Sequence, residues 1–229
     1  PEIEARLRTA AALRTAIFRE LAKDGEPATT AFRVCNSGGD DLPGVQVDLY
    51  GRHLVVSLVS PEAEARQNAI LDAAAALGAD GVYLKVRPRQ ASVLKDAERE
   101  ARTPRNAVRG DSAPDEFIVR ENGLRYLVRL GDGLQTGLFV DQRENRRRVQ
   151  ELAGGLRFCN LFAYTGAFTV AAIAGGAART TTVDVAASVL ARARKNLDLL
   201  GAGAQEHTML DVDALFWLKG AVKRGEQFD

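Results

Sequence analysis

The feature that most constrains this chain is an alternation in its C-terminal third, where short apolar runs are each followed by a helical pattern. FCNLF at 158–162 predicts a strand, 167–174 an apolar helix and TTTVD at 180–184 a second strand. A helix to Leu200 follows, and HTML at 207–210 is a third strand that ends at Asp211-Val212. Strands alternating with helices of this length make right-handed βαβ units, and their strands pair in parallel. A ligand of such a sheet binds beyond the carboxyl ends of the strands, so the residues just after each strand are the candidates. After the first come Phe162 to Phe168, where Gly166 permits close approach of backbone. After the second comes Asp184, whose two oxygens suit the vicinal hydroxyls of a ribose. After the third come Asp211 and Val212, an acid and an apolar neighbour suited to the amine and flat face of an adenine. Taken singly, Gly166 is equally a turn glycine and Asp184 a helix N-cap; their ordered spacing is what outlines a nucleoside-containing ligand. Only Gly166 stands where a dinucleotide fingerprint needs several glycines, and no P-loop lysine follows, so a sulfonium nucleoside fits better.

Upstream, the period differs. Residues 3–22 space Ile3, Leu7, Leu13, Ile17, Phe18 and Leu21 among charges, predicting an amphipathic helix that ends before Asp24-Gly25. Phe32 and Val34, then Val45, Val47 and Leu49, then 54–59 read as strands around the turn-rich NSGGDDLPG. Pro61 to Leu77 reads as one helix with proline at its start, and Val82–Val86 as a further strand. Residues 90–112 lack periodicity and predict a long surface loop. FIVRENGLRYLVRL predicts a hairpin turning at Asn122-Gly123, and 141–152 a helix closed by Gly154-Gly155. The expected domains are therefore an N-terminal helix (1–27), a small mixed α/β domain (28–120) and a ligand-binding α/β domain (121–229).

Composition removes several function classes. No run approaches the roughly 18 to 20 apolar residues of a membrane span, and the N-terminus lacks a signal-like apolar core, so cytoplasmic residence without membrane attachment is expected. Cys35 and Cys159 lie far apart and have no ligand partners nearby in sequence, which points to buried thiols rather than a disulfide or a metal site. With 31 basic and 30 acidic residues, bulk charge does not announce a nucleic-acid binder. Any basic surface must be local, at Arg143, Arg146, Arg147 and Arg148 or at Lys85, Arg87 and Arg89; the plain reading of each cluster is a solvated face.

TGLFVDQRENRR (136–147), NLFAYTGAFTVAA (160–172), TTTVD (180–184) and ARKNLDLLG (193–201) together resemble the bacterial 23S ribosomal-RNA base methyltransferases that form 5-methylcytosine or 7-methylguanine. DDLPGVQVDLYG (40–51) and YLKVRPRQ (83–90) resemble the small domain that precedes the methyltransferase domain in that family, so the resemblance covers nearly the whole chain. It implies an α/β fold of the class I methyltransferase type, a Rossmann-like parallel sheet preceded by a small mixed α/β domain with an RNA-binding role. It implies S-adenosylmethionine as cofactor and ribosomal RNA as partner. Carried over, the pattern sets the cofactor against Phe162, Tyr164, Thr165, Gly166 and Val185, with Asp184 at the ribose and Asp211 and Val212 at the adenine. Thr136, Gly137, Phe139, Asp141 and Arg143 would close the pocket, Arg143 facing the cofactor's carboxylate and Asp141 its amino group. Arg146, Arg147 and Arg148 would face solvent or RNA phosphates. The plainer alternatives are Asp141 as a helix cap beside solvated arginines, and Tyr164 and Phe168 as core aromatics.

The family's next element is a fourth strand leading to Asp-Pro-Pro, and no Asp-Pro-Pro occurs in this chain. The sequence therefore reads as the front half of a longer protein, with a sheet truncated after its third strand, its first strand left as an edge, and its catalytic residues beyond Asp229. Cytosine C5 needs activation by a thiolate, whereas guanine N7 has its own lone pair; Cys159 reads as core, and neither base is selected. The alternatives are a small-molecule methyltransferase of the same fold and a non-catalytic cofactor- or RNA-binding module.

Overall fold

The computed structural model describes residues 1–87, 100–201 and 206–229. The chain divides into two compact units, Pro1–Gly123 with Val128–Thr136, and Leu124–Leu127 with Gly137–Asp229.

The first unit is built on a five-stranded sheet in sequential order, β1 (Ala31–Asn36), β2 (Val45–Tyr50), β3 (His53–Leu58), β4 (Gly81–Val86) and β5 (Arg109–Gly110). All neighbours are antiparallel except β3 and β4, which run in parallel because a helical crossover joins them. That crossover is two helices, not the single one expected, α2 (Pro61–Ala65) and α3 (Gln67–Ala75). Arg66, at φ −106° and ψ 13°, leaves helical geometry between them. Helix α1 (Glu2–Ile17) buries Ile3, Leu7 and Ala10 at helical spacing against this sheet. It stops short of the expected residue 22: Phe18 packs on Phe32 with ring centroids 4.5 Å apart, and Leu21 instead forms a bridge to Pro27. The part of the expected 90–112 loop that lies within the described residues contains β5, whose Gly110 pairs with Gly81.

Strand β4 is buried at all six positions. Val82, Leu84 and Val86 join the helix-covered core, while Tyr83 and Lys85 project to the opposite face. Lys85 corrects the sequence reading, which grouped it with a solvated basic cluster. It is fully buried and donates to the carbonyls of Leu130 and Gly133. Burial pushes its ammonium down to about 8. The folded chain therefore binds this proton less readily than the unfolded chain, so stability rises with pH from about 8 to the ordinary lysine value of 10.5. Across that window we expect wild type to gain up to about 3 kcal/mol relative to Lys85→Met in urea melts; a pH-independent difference would show that the lysine is not desolvated.

The second unit holds a parallel three-stranded sheet in the order β10 (Glu206–Asp211), β9 (Arg179–Asp184), β8 (Arg157–Leu161). Among the described residues β8 is an edge of that sheet. The hairpin expected at Asn122-Gly123 forms from β6 (Phe117–Glu121) and β7 (Leu124–Val128), with positive φ at both turn residues. Helices α4 (Arg143–Leu152) and α5 (Ala167–Ala174) meet the sheet around Phe158 through Ala153, Ala172 and Ala177. Helix α6 (Ala187–Leu200) packs beside α5. Helix α7 (Ala214–Lys223) sets Ala214, Trp217 and Ala221 against Cys159, Leu161 and Val183 on the other face. Burial raises both thiols, Cys35 to about 11, so both are held protonated near neutral pH. No helix among the described residues is long and apolar enough to cross a membrane, and none of their His, Cys, Asp and Glu side chains cluster in threes to hold a metal.

Candidate functional site

The loop from β8 to α5 carries the most unusual backbone in the second unit. Phe162 (φ 55°), Tyr164 (φ 51°) and Gly166 (φ 70°) are all left-handed, alternating with residues that are not. Two of the three are aromatic residues, which adopt this region only where the surroundings hold them there. What holds them is visible. Ala163 N–H donates to the carbonyl of Val183 at 3.0 Å, Gly166 N–H to that of Ala163 at 2.9 Å, and Tyr164 N–H to the Asp184 carboxylate at 2.8 Å.

Asp184 is the last residue of β9, and its side chain is fixed from both sides. Oδ2 accepts from Tyr164 N–H, and Oδ1 from Ala186 N–H at 3.0 Å. A carboxylate offers about four lone-pair directions, so each oxygen retains one for a further donor. The alternative that Asp184 caps the following helix does not hold, because the cap position of α6 is Ala186. Val185 follows the carboxylate in sequence and Phe162 opens the loop that donates to it; their side chains are 73% and 68% exposed. Asp211 lies directly beside Asp184 in the parallel register and is exposed. Val212 is half-buried; its side chain packs on the Trp217 cluster and its N–H donates to the Asp184 carbonyl.

The 136–143 segment divides. Thr136 belongs to the first unit, where its hydroxyl donates to Tyr50 Oη at 2.9 Å. Gly137 to Arg143 belong to the second. The Gly137 carbonyl accepts from the Thr165 hydroxyl at 2.5 Å, and at φ 101° a side chain there would meet the Arg192 guanidinium. The Phe139 ring sits 5.3 Å from the Tyr164 ring. Asp141 is exposed within a short 3-10 turn (Val140–Gln142) and makes no cap for α4, whose cap position is Gln142. Arg143 pairs with its neighbour Glu144 at 2.6 Å.

Arg146 overturns its expected place on a solvated face. It is 3% exposed, donates to the Phe139 carbonyl at 2.7 Å and lies 5.7 Å above the Phe168 ring. It thereby fixes Phe139 from behind. The hint in sequence was its place on the inner stripe of α4, obscured by three arginines in a row. Arg147 does face outward, paired with Glu144 and Glu151.

In the first unit the arginines are largely neutralised. Arg14–Asp40, Arg33–Asp48, Arg52–Asp80, Arg109–Asp72, Arg120–Asp24 and Arg129–Glu116 are all ion pairs of 3.1 Å or shorter. The net field of that surface is accordingly weaker than its arginine content suggests.

The chain matches the family profile of S-adenosylmethionine-dependent methyltransferases over residues 44–229. It is 33% identical over 226 residues to a ribosomal RNA large subunit methyltransferase of Deinococcus radiodurans, which covers 98% of this chain and 54% of that protein. It is 44% identical over 117 residues to ribosomal RNA large subunit methyltransferase K of Neisseria meningitidis, covering 51% of this chain and 33% of that one. Its fold resembles a Streptococcus mutans structure provisionally described as a SAM-dependent methyltransferase, with a TM-score of 0.84 at 28% identity, over 100% of this chain and 56% of that one. A structure solved with SAH bound gives the same score, identity and coverage. The chain thus spans about half the length of the curated relatives it matches most fully.

Proposed function

Because this chain belongs to the S-adenosylmethionine-dependent methyltransferase family and has its class I α/β fold, we propose that its second unit holds the cofactor for methylation of a base in large-subunit ribosomal RNA. The observation that carries the cofactor site is Asp184, a carboxylate locked by two backbone N–H groups with a lone pair left on each oxygen, with exposed Phe162 in the loop that donates to it and exposed Val185 next in the chain. That arrangement fits a nucleoside: two hydroxyls donate to one carboxylate while apolar side chains cover the flat parts. Bound there, S-adenosylmethionine supplies an electrophilic methyl group on its sulfonium. Asp184, held by the N–H groups of Tyr164 and Ala186, would orient the ribose. Phe139, held by Arg146, and Phe162 would cover the bound cofactor, and Asp211, beside Asp184 in the sheet, would take the adenine amine.

The RNA reading rests on the relatives, which are named as large-subunit ribosomal RNA methyltransferases of several kinds. The acceptor is cytosine C5 or guanine N7, and either base has to leave its stack to reach the methyl group. The test is methyl transfer by the native protein from labelled S-adenosylmethionine to 23S RNA, taken from a strain lacking the gene and from its parent. Label is expected in the first RNA alone, in 5-methylcytidine or 7-methylguanosine after digestion. Tight SAH binding with no label in either RNA would sink the RNA reading, and label in a small-molecule extract would replace it.

A further inference from the structure

Helix α6 packs inward through a stripe of Leu190, Ala193 and Leu197, and a side chain added at Gly166 would meet Ala193 and Leu197 of that stripe. Asn196 shares this buried face and is completely buried. A buried primary amide is tolerated only when its hydrogen bonds are made. Asn196 makes them to two separate segments. Its Nδ2 donates to the Thr165 carbonyl at 2.9 Å, and its Oδ1 accepts from Leu127 N–H of β7 at 2.8 Å. The Thr165 hydroxyl in turn donates to the Gly137 carbonyl. One amide therefore ties the left-handed loop to β7 and, through Thr165, to the 137–143 segment.

We infer that Asn196 is a positioning residue for the cofactor, fixing the carbonyl of Thr165 so that the loop keeps the conformation in which Tyr164 N–H holds Asp184. This rests on the cofactor reading above. The loop has two positive-φ aromatics to sustain, so without the amide it relaxes toward ordinary backbone geometry and releases Asp184. Asn196→Asp is the sharpest change: it keeps the acceptor for Leu127 and replaces the donor to Thr165 with a repelling oxygen.

The test compares Asn196→Asp with Thr182→Val, which removes a different buried polar contact of the same unit, the 2.8 Å link to Thr169. Calorimetric SAH affinity and melting temperature are read for both. We expect Asn196→Asp to weaken SAH at least tenfold and Thr182→Val less than threefold at similar loss of melting temperature. In turnover, the KM for S-adenosylmethionine should rise in the first variant while kcat at saturating cofactor stays within about twofold. Affinity that tracks melting temperature alike in both variants overturns the positioning role. A second measurement needs no variant: hydrogen exchange of wild type should show the Leu127 amide slowed by SAH together with amides 163–166, and slowing of the loop without Leu127 also overturns it. Wild type that binds no SAH removes the cofactor reading itself, and the inference with it.

Discussion

Replacing Asp184 with alanine is expected to weaken SAH binding by about two orders of magnitude while leaving the first unit folded. A hydrogen bond to a charged group contributes about 1.5 to 3 kcal/mol, and two ribose hydroxyls donating to one carboxylate set the scale of the loss. Part of the effect is indirect. Without the carboxylate, Tyr164 N–H at 2.8 Å and Ala186 N–H at 3.0 Å lose their acceptor, and the loop is free to abandon its left-handed residues. Asp184→Asn separates the two contributions. Its single oxygen satisfies one of the two backbone donors, but its amino group opposes the other, so it should lose nearly as much affinity as alanine despite its similar shape. Isothermal titration with SAH reads both variants. A loss under threefold in Asp184→Ala would remove Asp184 from the cofactor site and, with it, the reason given for the exposure of Phe162 and Val185.

The parts of this fold that were legible in sequence are those set by local period. The three parallel strands of the second unit lie where alternating β and α patterns put them, to within a residue or two at each end. Asp184 and Asp211 end adjacent strands in register, as their places after two consecutive strands of one parallel sheet require. What escaped was decided by tertiary packing. Lys85 and Arg146 look like members of basic clusters in a linear reading. Yet Lys85 occupies an inward position of a strand covered on both faces, and Arg146 occupies the inner stripe of α4. Each keeps its charge buried by donating to main-chain carbonyls, Leu130 and Gly133 in one case and Phe139 in the other, and sequence carries no signal for that. Thr136 is contiguous with Gly137 in the motif, and its hydroxyl donates to Tyr50 in the first unit, a contact that sequence does not show. Asn196 stood inside a motif with nothing to mark it as buried, since asparagine in an exposed helix reads identically.

Gly166→Ala should destabilise the second unit by about 2 to 5 kcal/mol, and the comparison with Gly155→Ala shows why. Both glycines are left-handed, at φ 70° and 74°. A methyl at Gly155 would meet nothing within 4 Å, so its substitution costs only the conformational penalty of about 1 to 2 kcal/mol. At Gly166 the new methyl would lie 2.9 Å from the Ala193 side chain. That side chain has no rotamer to change, so the contact is relieved only by moving α6 or the loop, which adds overpacking strain of about 1 to 3 kcal/mol. For a unit of this size each kcal/mol lowers the melting temperature by roughly 4 to 8 °C, so the two variants should differ by several degrees in calorimetry. The direction of relief has a further consequence. If α6 moves, Asn196 moves with it and the Thr165 carbonyl loses its donor, so SAH affinity falls beyond what the lower stability explains. Equal melting temperatures for the two variants would mean that the close approach of Gly166 to Ala193 does not constrain the loop, and the conformation around Asp184 would then be held by the Asn196 amide and the loop's own hydrogen bonds without that packing contact.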